Sequence, residues 1–95
     1  MKRIIWSRPA QNDLAHIDQF LAEFDPAYAA LVGRQAFKTA IWLAENPRIA
    51  PFVEDGEIRK WRVPTTPYLL LYYEATDGVT IARVRHSREN WRDEV

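Results

Sequence analysis

The side chains best suited to chemistry crowd the second half of the chain. Arg59, Lys60 and Arg62 fall within four residues, and Arg83, Arg85, Arg88 and Arg92 surround His86 and Trp91 in a stretch with a single acid. A base among cations can move a proton and stabilise a developing anion, and Lys60, Arg62, Arg83, His86 and Arg88 would supply those groups. The spacing gives His86 neither an obvious nucleophile nor an orienting carboxylate, so it reads as a hydrogen-bonded histidine closing a sheet, and no residue is assigned as catalytic. The same cluster suits protein recognition, because arginine and tryptophan combine large contact area with directed donors. Strand alternation puts Arg83 and Arg85 on one face, and Arg88 and Trp91 would share a side of a helical turn. These four form the expected target-binding surface, with Lys60 and Arg62 as a second basic face.

Composition narrows the chemistry further. With two histidines and no cysteine there is no metal constellation, and no cofactor is expected. Thirteen Lys and Arg balance 13 Asp and Glu, a neutral total that does not support direct sequence-specific binding of nucleic acid. A chain of 95 residues, 47% of them hydrophobic, reads as one domain over 1–95. Its first apolar run is too short for a signal peptide, and none approaches the ~18 residues of a membrane span. A cytoplasmic protein without membrane contact is expected.

The elements that must position these groups follow from local signals. Lys2 to Trp6 is a short first strand. Ser7 caps a helix with Pro9 in its first turn, and Ala10, Leu14, Ile17, Leu21 and Phe24 recur along one face. Asp25-Pro26 stops that helix and caps the next, which runs to about Glu45 with a stripe of Ala30, Gly33, Phe37, Ala40, Ile41 and Ala44, and ends at Asn46-Pro47. Arg48 to Gly56 has no period and reads as a connection. Three strands follow, Ile58–Val63, Tyr68–Ala75 and Val79–His86. Pro64 and Pro67 lie in the first connection, and Asp77-Gly78 marks a type I′ hairpin in the second. The fold class is α+β: an N-terminal strand, a two-helix hairpin and a three-stranded antiparallel meander in one sheet. The helices cover one face, and the open face carries basic and aromatic residues.

Trp-Ser-x-x-Ala at the first helix, Asp13-Leu14-x-x-Ile17 on it, Arg-x-Trp-x-Val-x-x-x-Pro-Tyr before the hairpin and Arg-Val-x-His-x-Arg-x-x-Trp at the end occur in that order. Together they resemble the ParE branch of the RelE/ParE toxins over nearly the whole chain. The resemblance implies the toxin of a type II toxin–antitoxin pair, held in a hetero-oligomer by a cognate ParD-like antitoxin whose C-terminal segment wraps it. It also implies DNA gyrase as the target, whereas RelE-like relatives cleave messenger RNA on the ribosome. Those nucleases resemble this chain at Lys60 and Arg62. They carry an arginine where Leu69 follows Tyr68 here, and often a terminal tyrosine that this tail lacks.

Three readings stay open: a gyrase inhibitor that works by binding, a ribosome-dependent endoribonuclease, and a non-toxic relative that only binds its antitoxin. Leu69 and the neutral charge favour the first and third. The antitoxin is expected across the helical hairpin and along the sheet, over apolar residues that the helices do not bury on each other. The candidates are Leu14, Leu21, Phe24, Tyr28, Leu31 and Val32.

Overall fold

One hydroxyl starts the first helix and ties it to the far end of the chain. Ser7 Oγ accepts from the Ala10 N–H at 3.1 Å and donates to the Ala82 carbonyl at 2.8 Å. In the computed structural model, which describes residues 2–53 and 56–88, the elements are β1 (Arg3–Trp6), α1 (Arg8–Ala22), α2 (Pro26–Glu45), β2 (Arg59–Arg62), β3 (Tyr68–Ala75) and β4 (Gly78–His86). The α+β order expected from the sequence is the one observed. Asp25 caps α2 by accepting from the Tyr28 N–H, and Asn46 closes it with its main-chain N–H and its side-chain amide directed at the last turn. No helix among the described residues is long and apolar enough to cross a membrane.

The four strands run β1-β4-β3-β2, with β1 parallel to β4 and the other pairs antiparallel. The helices pack on one face, where Leu70, Tyr72, Val79, Ile81 and Val84 meet Ala36, Ala40 and Leu43. A bulge sets this register. Leu71 pairs with Arg83 but Tyr72 pairs with Ile81, so Ala82 is the extra residue and β4 changes phase there. As a result Ile81 and Val84 both face the core, and Arg83 and Arg85 turn to the other side. The second face is not bare. Val53, Leu69 and Leu71 form a small buried cluster on it, with Ile58 packed against them.

Three expectations are corrected. Of the stripe Ala30, Gly33, Phe37, Ala40, Ile41 and Ala44, Ala40 and Ala44 are buried as expected and Gly33 is half-buried, but Ala30, Phe37 and Ile41 face outward, with Phe37 52% and Ile41 54% exposed. The buried side of α2 is completed by Ala29, Val32, Ala36 and Leu43, and its small members fit against the bulky sheet residues. Phe24 leaves the α1 stripe because the helix ends at Ala22, and its ring is 72% exposed against Phe20. The β3–β4 turn is not type I′, because neither Asp77 nor Gly78 has a positive φ. Thr76-Asp77 makes the turn and Gly78 opens β4, opposite Ala75 and beside Arg3 of β1.

The connections hold the sheet edges. Arg59 donates to the Ala50 carbonyl at 2.6 Å and lies 3.9 Å over the Phe52 ring, while Val53 and Pro51 exchange main-chain hydrogen bonds with Ile58 and Lys60 along the outer edge of β2. Arg59 therefore organises the 48–53 segment instead of serving as a solvated edge charge. Between β2 and β3, Thr66 N–H returns to the Val63 carbonyl across Pro64 and Thr65, and Thr65 sits at φ 65, the position a type II turn reserves for glycine. Thr65→Gly is expected to raise stability by about 1 kcal/mol, because release of β-branched strain outweighs the added freedom of the unfolded chain. A denaturant midpoint at or below that of the wild type would contradict this.

Candidate functional site

β1 is too short to cover β4. Its four residues pair with Gly78–Ile81, and beyond Ile81 no strand among the described residues lies beside the edge of β4. Side chains of the α1 region complete that edge. Ser7 takes the Ala82 carbonyl, and Asp13 Oδ2 accepts from the Val84 N–H at 2.9 Å. The same carboxylate receives Arg83 through Nε and Nη2, both at 2.9 Å, in a two-point fork, and lies 4.0 Å from Arg85 Nη1. Burial alone would raise the pKa of Asp13. The Arg83 and Val84 hydrogen bonds and the charges of Arg83 and Arg85 outweigh it, so the group lies below the ordinary aspartate value.

Two cross-strand rows result on the face turned from the helices. Lys60 stands opposite Leu71, which stands opposite Arg83; Arg62 stands opposite Leu69, which stands opposite Arg85. The structure thus brings together the two basic groups that the sequence kept apart. It also engages them: Arg83 and Arg85 turn to Asp13, and Arg62 reaches the Thr66 carbonyl at 3.3 Å. His86 Nδ1 accepts from the Arg88 N–H at 3.0 Å and its ring meets Tyr68 edge-on at 5.4 Å. That nitrogen serves the main chain. Arg88 is exposed, whereas Trp91 and Arg92 lie outside the described residues.

A second feature opens between the helices. A groove of about 590 Å³ is floored by Ala29, Val32 and Gly33 and walled by Leu14, Ile17, Trp6 and Phe37, the last two rings in edge contact at 5.1 Å. Of the six residues expected to meet an antitoxin, Leu14 and Val32 line it, Val32 being only 2% exposed and available solely as floor. Leu21 and Tyr28 are half-buried against the core, Leu31 is half-buried, and Phe24 is exposed at the hairpin tip. Sequence reasoning missed Trp6, Gly33 and Phe37 as groove residues, and Asp13 as the partner of the arginines. The signal for Asp13 was its place three after Ala10 and four before Ile17, an acid on the apolar stripe itself.

The comparisons with known proteins converge. Toxin RelE2 of Caulobacter vibrioides is 30% identical over 87 residues, which covers 92% of this chain and 97% of that protein. The fold matches a chain of the chromosomal ParDE TA system from P. aeruginosa with a TM-score of 0.78 at 18% identity, over 90% of this chain and 96% of that one, a likeness of fold. The sequence model of the family described as ParE toxin of type II toxin-antitoxin system, parDE, matches residues 4–91, and this chain belongs to that family.

Proposed function

We propose that the chain is a toxin that inhibits DNA gyrase by binding it, without chemistry of its own, and that a ParD-like antitoxin neutralises it in a cytoplasmic hetero-oligomer. The observation that carries this reading is Leu69. At the place where the resembling nucleases set an arginine, its side chain is buried with Val53 and Leu71, so no cation stands between Arg62 and Arg85. Arg83 is forked onto Asp13 and His86 Nδ1 is on the main chain, so two of the five groups a nuclease would use here are already engaged. Arg62 and Arg88, both exposed, are the gyrase contacts within reach. In a supercoiling assay, Arg62→Glu and Arg88→Ala should each weaken inhibition by roughly tenfold or more while melting like the wild type. Full inhibition by both folded variants would move the target surface elsewhere, and no inhibition by the wild type would leave an inert relative that binds only its antitoxin.

Lys60 and Arg62 on one face with Arg83 and Arg85 support a second reading, the ribosome-dependent endoribonuclease. Codon-specific cuts on translating ribosomes would establish it. The antitoxin belongs on the helical hairpin, where the groove and the exposed apolar residues of α2 form apolar surface left open by the described residues.

A further inference from the structure

Gly33 stands in the interior of α2, where glycine destabilises a helix relative to alanine. Close packing does not account for it, because a Cβ built there would meet nothing within 4 Å. The open space is the groove itself, of which Gly33 is floor, one turn from Ala29 and one turn from Phe37. The chain thus carries a local helix defect whose effect is to leave the α2 backbone approachable from outside.

The groove's chemistry defines what can approach. Its lining is apolar except for Gln11 and Asp18 on the α1 side, and Gln11 already donates to the Trp6 carbonyl at 2.8 Å. The remaining backbone belongs to two helices, whose amides are bonded internally. An extended segment laid here would find no main-chain partners and would bury its own polar groups unsatisfied, whereas an α-helix satisfies them itself. Arg34 and Lys38, which follow the groove residues Gly33 and Phe37 in sequence, are exposed one turn apart on α2, which suits an amphipathic helix carrying acids beside its apolar stripe. A twofold contact with a second copy would bring Arg34 and Lys38 of both chains together against one Asp18 from each chain.

We propose, resting on the antitoxin reading above, that Gly33 is a specificity-determining residue of the groove: it admits an acidic amphipathic α-helix of the antitoxin and receives one large apolar side chain of that helix over the α2 backbone. The probe is the full-length protein encoded by the reading frame adjoining this chain's own, with affinity measured by titration calorimetry and contact mapped by hydrogen exchange. Gly33→Ala should raise the melting temperature of the free toxin by roughly 5 °C and weaken antitoxin binding by roughly tenfold, a stabilised protein that binds worse. Gly33→Leu should weaken binding on the order of a hundredfold. If the antitoxin protects residues 11–37 but binds both variants like the wild type, the role of Gly33 is overturned and the antitoxin reading stands. If it gives no protection over α1 and α2, the reading itself falls. If Gly33→Leu instead changes self-association of the free chain with antitoxin affinity unaltered, the groove belongs to a second copy and the proposal is overturned.

Discussion

Asp13→Ala is expected to lower the free energy of unfolding by about 3 kcal/mol at neutral pH. The side chain is 10% exposed and makes three hydrogen bonds, two from Arg83 and one from the Val84 N–H at the edge of β4. Removing it strips an acceptor from that edge and takes the Asp13 carboxylate from Arg83 and Arg85, with some relief because the Arg83 side chain is 25% exposed and water can reach it. Asp13→Asn should cost about half as much, since an amide oxygen can still accept from Val84. Because the folded-state pKa lies below the unfolded one, the carboxylate adds stability that is complete above the unfolded aspartate value of about 4 and is lost as pH falls through the depressed folded value. Urea melts in steps from about pH 7 to about pH 2 should therefore show the gap between wild type and Asp13→Ala closing only at the acid end. A cycle with Arg83→Ala should return a coupling of about 1–2 kcal/mol. Equal urea midpoints for wild type and Asp13→Ala at neutral pH would show that α1 is held to β4 by apolar packing alone.

Gly78→Ala should be at least as damaging, by about 3 kcal/mol, although it adds a single methyl group. A Cβ at Gly78 would overlap the carbonyl carbon and oxygen of Arg3, which are backbone and have no rotamer to retreat into. The register places Arg3 opposite Gly78 at the start of the parallel pair, so relief requires β1 to shift away from β4. β1 in turn positions Ser7, the cap of α1, and Trp6, the end wall of the groove. A thermal melt should show the loss, and exchange of the Ile5 and Ser7 amides should accelerate more than that of β3. Wild-type melting with unchanged protection in β1 would refute the account. Two glycines of one chain should thus respond to alanine with opposite signs, because one faces open space and the other a carbonyl.

Much of this protein was legible in its sequence because the relevant forces act over a few residues. Ser7, Asp25 and Asn46 cap their helices as expected, since a cap satisfies amides or carbonyls within one turn. Pro64 and Pro67 sit between strands for want of an N–H, and Arg83 and Arg85 share one face as strand alternation requires. The family was legible too, through short motifs in order. Tertiary structure alone chose between the two apolar sides of α2, because a helix apolar on both can bury either until a sheet selects the side with small residues. It also decided which acid meets Arg83, a partner 70 residues away that no local rule connects to it. And it gave Gly78 its role. Asp-Gly signals a turn in a hairpin considered alone, but here a parallel strand from the opposite end of the chain passes so close that glycine is needed for space instead of for left-handed backbone.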